Sequence, residues 1–261
     1  MLNEDLGDNG HGVKSLYDPI KRAEKTARIV CRGDRRRYYR FRPARFYGGI
    51  GTADCLGCCL RCLFCWSWDR VVQPGRYGDF YSPQQVAGKL VSIAYQRGFR
   101  QVRISGNEST LARDHLIQVL RQIPGDLLFI LETNGILIGH DPTYAQDLSK
   151  FKNLYVRVSI KGSSEAEFAR LTGAEPSGFK LQIQALENLV RSNVNANPAI
   201  MVTFSTRQNI KTLRRLLKEI DEDFEDFEME ELVLYGKVEE RLLRAGLECD
   251  AAHEPSCTPL E

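Results

Sequence analysis

The chain has 261 residues, 43% of them apolar and 27% charged, enough for one generous domain or two small ones with a real core, which excludes a disulfide-stapled mini-protein, a coiled coil and a disordered chain. Lys and Arg number 36 against 34 Asp and Glu, a formal charge of +2, so nothing global argues for wholesale nucleic-acid or membrane binding and any charge effect is local. No apolar stretch approaches a membrane span and the first residues are polar and acidic, which predicts a cytoplasmic protein with no membrane partner.

In chain order, the first twenty residues read as a polar, Gly-bearing arm. From Lys21 to Arg45 eleven Lys and Arg face only Glu24 and Asp34 and alternate with Tyr38, Tyr39, Phe41 and Phe46. This basic segment reads either as a solvated strand or helix ahead of the domain or as a dock for RNA or an acidic protein face. Residues 1–48 are accordingly set apart from a domain over 49–246, with 247–261 as a tail.

Within that domain, short β-rich runs predict strands near Gly49–Ala53, Gln101–Ser105, Leu127–Glu132, Leu154–Ile160, Ala199–Phe204 and Leu232–Tyr235. Helical patterns fill the intervals. Ser82 and Pro83 open one that runs to Arg97, and Leu111–Gln122 stops before Pro124. Asp141-Pro142 starts another, and Gly178–Arg191, Asn209–Ile220 and Lys237–Ala245 supply three more. Six alternations predict parallel strands joined by right-handed crossovers, two units short of a closed eight-fold barrel. The expectation is an α/β fold, a partial (βα)6 TIM-like barrel, with a doubly wound sheet as the alternative and the site at the carboxyl ends of the strands. Glu219–Glu231 holds nine carboxylates in thirteen residues and reads as a solvated helix end and loop, with recruitment of a basic partner or pairing with the basic run as alternatives.

Five of the eight cysteines fall within eleven residues, Cys55, Cys58, Cys59, Cys62 and Cys65, immediately after the first strand. Such crowding suits metal ligation better than disulfides. Two interlocked readings share the C-x3-C-x2-C spacing: Cys55, Cys59, Cys62 and Cys58, Cys62, Cys65. Three thiolates on a 4Fe-4S cluster leave one iron free for a substrate or cofactor, whereas four favour plain electron transfer. A zinc site would want paired knuckles that Cys249 and Cys257 do not form, although those two could serve an auxiliary cluster. Cys31 reads as a lone packing thiol, and His11, His115, His140 and His253 as surface or packing residues.

Cys58-Cys59-Leu60-Arg61-Cys62-Leu63-Phe64-Cys65 resembles the signature of radical S-adenosylmethionine (radical SAM) enzymes, in which an aromatic residue precedes the last cysteine. Phe64 fills that place only when the ligands are Cys58, Cys62 and Cys65. Downstream, Gly106-Asn107-Glu108 resembles the family's Gly-Gly-Glu motif, with Asn107 for the second glycine. Glu132-Thr133-Asn134-Gly135 and Ser159-Ile160-Lys161 resemble the Asp-Thr-Asn-Gly and Asp-Leu-Lys segments of the small glycyl-radical activating enzymes. The resemblance implies a 4Fe-4S cluster and S-adenosylmethionine (SAM) as cofactors, with Phe64, Gly106, Asn107, Glu108, Glu132, Thr133, Asn134, Ser159 and Lys161 around SAM. Glu132 lengthens the family's Asp and Ser159 removes a charge, so a monovalent-cation site does not carry over.

Along Leu154–Ile160 the alternation places Tyr155, Arg157, Ser159 and Lys161 on one face, which makes Arg157 and Lys161 candidate catalytic residues, a barrel-core ion pair being the other use of Arg157. The resemblance further implies reduction by a donor such as ferredoxin or flavodoxin, a 5′-deoxyadenosyl radical and hydrogen abstraction from a substrate, a protein ahead of RNA or a small molecule. Methyl or aminocarboxypropyl transfer stays open. So does a non-catalytic iron-sulfur protein that carries electrons or senses redox state.

Overall fold

The computed structural model describes residues 15–247; Cys249, Cys257, His11 and His253 lie outside the described residues. The first helix, α1 (Pro19–Val30), starts where Asp18 accepts hydrogen bonds from the backbone of Ile20 and Lys21 and Pro19 occupies the first turn. A tight hairpin follows, β1 (Cys31–Arg32) and β2 (Arg35–Ala44). β2 runs antiparallel to β3 (Ile50–Cys55), with a bulge between Tyr38 and Arg40, and β4 (Asp79–Tyr81) pairs with the other edge of β2.

From β3 onward the strands run parallel in chain order: β5 (Gln101–Ser105), β6 (Leu128–Thr133), β7 (Leu154–Ile160), β8 (Ala196–Met201) and β9 (Glu228–Glu230). Their crossovers carry α3 (Pro83–Arg97), α4 (Arg113–Leu120), α5 (Ile136–His140), α6 (Pro142–Leu148), α7 (Glu165–Thr172), α8 (Ser177–Arg191) and α9 (Arg207–Ile220). The short α2 (Trp68–Val72) follows the cysteine loop, and α10 (Val238–Arg244) follows β9. The nine-stranded sheet does not close on itself, so six parallel strands with an antiparallel extension make the expected partial barrel. Among the described residues no helix is long and apolar enough to cross a membrane.

The two faces of the sheet differ because period two separates its side chains. One face stacks Val102, Ile104, Phe129, Leu131, Val156, Val158 and Ile160, each at most 1% exposed, under the helices. The other is polar. Registers Thr52↔Arg103, Asp54↔Ser105 and Glu132↔Arg157 set these side chains abreast, and they neutralise one another. Arg40 and Arg42 reach Asp54 at 2.6 and 3.1 Å, Arg103 reaches Glu132 at 2.6 Å, and Arg157 reaches Glu228 and Glu230 at 2.7 and 2.9 Å.

Three expectations change. The segment ahead of residue 49 belongs to the same sheet, because Tyr38 and Phe41 pack with Tyr81 at ring distances of 4.9–6.2 Å. Within it Arg36 is 1% exposed and donates to the carbonyls of Leu56 and Glu108 at 3.2 and 2.6 Å, so it braces the core and cannot dock a partner. Finally, the last parallel strand is Glu228–Glu230 rather than 232–235. The acidic run therefore ends inside the sheet, where Arg157 and Lys161 compensate charges that would otherwise forbid a strand there.

Candidate active site

All four sequence-predicted segments converge at the carboxyl ends of β3, β5, β6 and β7. The irregular loop from Leu56 to Trp66 leaves β3 and is held on every side. Its start is tied to the end of β5: Asn107 Oδ1 accepts from the Gly57 amide at 2.8 Å, Asn107 Nδ2 donates to Ser67 Oγ at 3.2 Å, and the Glu108 amide donates to the Gly57 carbonyl at 2.9 Å. Gly106 sits so close that a Cβ would meet the Cys55 carbonyl oxygen at 2.9 Å, and its φ of 97° suits glycine alone. Arg61 folds back onto the carbonyls of Cys58 and Leu60 at 2.8 and 3.0 Å. The Leu63 amide donates to the Leu171 carbonyl at 2.9 Å. From α10, Arg241 donates to the carbonyls of Leu63 and Cys65 at 3.0 and 2.6 Å and lies 4.9 Å above the ring of Trp68.

Cys62 is 8% exposed, Cys58 and Cys65 are half-buried, and Cys55 and Cys59 are fully buried; all are free thiols. Burial pushes the Cys65 thiol up to about 11 and Cys62 further still. Cys58 moves the other way, chiefly because the Cys59 thiol donates to it. Its sulfur also accepts from the Leu60 amide at 3.3 Å and lies 3.5 Å from Asn134 Nδ2, contacts that favour a thiolate. Among the described residues no three His, Cys, Asp or Glu converge on the volume of one ion, whereas a four-iron cluster spreads its thiolates over separate corners. Soft sulfur donors with N–H groups aimed at one of them fit such a cluster.

The remaining motif residues divide by what they touch. Glu108 is 1% exposed. One carboxylate oxygen accepts from Thr110 N, Thr110 Oγ1 and Thr133 Oγ1 at 2.6–3.0 Å and the other from the Asn134 amide at 2.8 Å. Its side chain therefore joins the ends of β5 and β6, and it is Asn134 that faces the sulfurs, 3.3 Å from Cys59. Asn107 is likewise spent on the loop. Glu132 lies below the strand end and accepts from Arg103, Ser105 and Tyr47 at 2.6–3.1 Å. Arg157 donates twice to Glu228 and once to Glu230, so the ion-pair use of this residue is the one observed.

Lys161 stands 5.8 Å above the ring of Phe64, whose ring stacks on Phe204 at 6.3 Å. It also bonds Ser159 and lies 3.4 Å from Glu230. Burial pushes the Glu230 carboxyl up, but Lys161, Arg157 and the Ser159 hydroxyl outweigh it and hold the group below its ordinary value. Lys161, Ser159 and Glu230 thus form a charged strand-end cluster next to the cysteine loop.

Sequence reasoning missed four residues here. Gln182 is fully buried and joins β6 to β7, accepting from the Lys161 amide at 3.0 Å and donating to the carbonyls of Asn134 and Ser159 at 2.6 and 3.1 Å. Arg36, Arg241 and Glu230 lie far from the motifs in sequence, and no spacing along the chain ties them to the loop.

Comparison with known proteins gives the family. Residues 55–225 match the domain pattern of the Radical SAM superfamily. The chain is 30% identical over 129 residues to a probable GTP 3′,8-cyclase of Methanococcus vannielii, covering 49% of this chain and 41% of that protein. With the probable GTP 3′,8-cyclase of Methanopyrus kandleri it shares 28% over 163 residues, 62% and 49% of the two chains. The chain thus spans less than half the length of these curated relatives. Among solved structures, Streptococcus suis SuiB bound to its precursor peptide SuiA superposes with a TM-score of 0.57 at 18% identity, over 76% of this chain and 40% of SuiB. SuiB bound to S-adenosylmethionine gives 0.52 at 20% identity, over 63% and 36%. The chain belongs to the radical SAM superfamily and is an enzyme of that family, whose cofactors are a 4Fe-4S cluster and S-adenosylmethionine.

Proposed function

We propose that Cys58, Cys62 and Cys65 hold the cluster, that Asn134, Ser159 and Lys161 meet SAM, and that the substrate is a protein. When bound, the two cofactors supply a one-electron reductive cleavage that delivers a 5′-deoxyadenosyl radical, which takes a hydrogen atom from the substrate. The protein's own part is positioning. Asn107, Glu108 and Arg241 hold the cysteine loop, Gln182 and Glu108 fix the strand ends, and Lys161 offers a cation beside Phe64 for a carboxylate. Phe64 and Phe204 keep water from one side. The free thiols suit a reducing compartment such as the cytoplasm, and a ferredoxin or flavodoxin is the electron donor. The strands within residues 49–246, extended by β1 and β2 in the same sheet, act as the catalytic barrel.

The observation that carries the protein substrate is the superposition on a radical SAM enzyme caught with a precursor peptide, together with a sheet that does not close between its antiparallel extension and β9. The curated relatives favour a second reading, a nucleotide substrate. Anaerobic turnover with a uniformly deuterated cell extract, split by size, separates them. Deuterium in 5′-deoxyadenosine from the protein fraction, with GTP left intact, is expected. Deuterium from the small-molecule fraction alone, or consumption of GTP, overturns the protein reading.

A further inference from the structure

The site above leaves one charged surface unused. Because β2 runs antiparallel to β3 with Tyr38 opposite Cys55 and Arg42 opposite Thr52, its first half projects past the carboxyl end of β3, beside the cysteine loop, and its second half descends along the polar wall. Burial of Arg36 and Tyr38 on the core side puts Arg35 and Arg37 on the opposite side. The bulge brings Tyr39 and Arg40 round to that side too, where Arg40 meets Asp54. β1 and α2 add Arg32 and Arg70. The Arg32 and Arg37 guanidiniums lie 4.7 and 4.5 Å from the ring of Phe80, and those of Arg70 and Arg40 lie 4.6 and 5.5 Å from the ring of Tyr39.

Aromatic stacking spreads these side chains flat; Arg37 spends its Nη1 on the carbonyls of Tyr77 and Gly78 at 3.0 and 3.1 Å, whereas Arg32 and Arg35 are exposed and Arg70 is half-buried. Among the described residues Arg32, Arg35, Arg37 and Arg70 make no ion pair, so these four guanidiniums have no carboxylate partner, whereas Arg40 lower on the wall is paired with Asp54. Rings already covered by guanidinium are not free to stack bases, whereas outward guanidinium edges match carboxylates bidentately. Strand geometry spaces alternate side chains about 6.6 Å apart, the repeat of alternate side chains on an extended peptide.

We propose that this wall docks an acidic stretch of the protein substrate, its carboxylates seated on Arg32, Arg35 and Arg70 with Arg37 holding the wall to the Tyr77–Gly78 backbone, and so leads the polypeptide into the barrel mouth. The inference rests on the protein-substrate reading and adds where, and by what chemistry, the chain is held.

The test is fluorescence anisotropy of the full-length protein with a fluorescein-labelled decaglutamate peptide. Binding is expected to weaken as salt rises. The variant Arg32→Glu/Arg35→Glu/Arg70→Glu is expected to bind at least tenfold more weakly, and Arg100→Glu/Lys152→Glu, at the amino ends of the strands, within twofold of wild type. Arg32→Gln/Arg35→Gln adds no like charge to the fold, is checked by its melting curve, and is expected to lose severalfold. Absence of binding to the wild type, retained affinity in the triple variant, equal loss in the amino-end variant, or tighter binding of a labelled decauridylate would each overturn the proposal. SAM cleavage is read separately: peptide binding without cleavage refutes the catalytic reading and leaves the docking wall, and cleavage without peptide binding refutes the wall alone.

Discussion

Nη2 of Arg241 donates a 2.6 Å hydrogen bond to the carbonyl oxygen of Cys65, although 176 residues separate them. Through it α10 holds the last cysteine of the loop. A hydrogen bond from a charged donor contributes roughly 1.5–3 kcal/mol, so Arg241→Gln is expected to keep the barrel folded while loosening the loop. The predicted signature is a broadened or shifted electron paramagnetic resonance signal of the reduced cluster and SAM binding weakened about tenfold, with Arg241→Lys intermediate. An unaltered spectrum and unaltered SAM affinity in Arg241→Gln would remove this role.

The register of the cysteine motif is open to direct test. Cys58→Ala, Cys62→Ala and Cys65→Ala should each abolish the SAM-induced change in the cluster spectrum. Cys55→Ala and Cys59→Ala, which shrink fully buried thiols, should keep it at a cost of about 1 kcal/mol in stability. Loss of the change in Cys55→Ala with retention in Cys65→Ala would establish the other register.

Glu108 accepts four hydrogen bonds while 1% exposed. In Glu108→Gln one acceptor becomes a donor facing other donors, which should cost about 3 kcal/mol and lower the melting temperature by roughly 6–12 °C. Calorimetry of the unloaded protein reads this without any turnover. A melting temperature within 2–3 °C of wild type would show that Glu108 is not the brace described.

Acid stability depends on His115. Its Nδ1 lies 2.7 Å from the Asp34 carbonyl and its Nε2 2.9 Å from Tyr38 Oη. A carbonyl only accepts, so Nδ1 carries the proton and Nε2 accepts from the tyrosine. Burial, helped by nearby Arg36 and opposed by the Asp34 carbonyl, holds the imidazole down to about 4 from its ordinary 6.5. Between those values the unfolded chain takes up a proton that the native state refuses. Stability present above pH 6.5 is therefore lost as pH falls toward 4, by at most about 3 kcal/mol. Urea midpoints at pH 7.5 and 5.0 should differ in the wild type and differ less in His115→Gln; equal differences would exclude His115 as the source.

The sequence made the barrel legible because its signals are local. Strand runs such as Leu154–Ile160 and the helix start at Ser82 and Pro83 are complete within a few residues, and both stand as read. The cysteine loop and the strand-end motifs were legible for the same reason. What escaped depends on pairing at a distance. Arg36 looks like any other residue of a basic run until Leu56 and Glu108 supply its acceptors, and Glu228 and Glu230 look like solvated charge until Arg157 lies beside them. Glu108 and Arg157 were read as ligand-facing from motif and alternation, yet their partners lie within the protein, which no spacing along the chain reveals.

Whether the Cys58, Cys62 and Cys65 loop supports radical SAM cleavage is read from the products of the reaction. The most direct measurement reconstitutes the protein anaerobically with iron and sulfide, reduces it with dithionite in the presence of SAM, and quantifies 5′-deoxyadenosine and methionine by mass spectrometry. Both products are predicted in the wild type and neither in Cys58→Ala. An intact 4Fe-4S spectrum with no products and no SAM-induced spectral change would contradict the account.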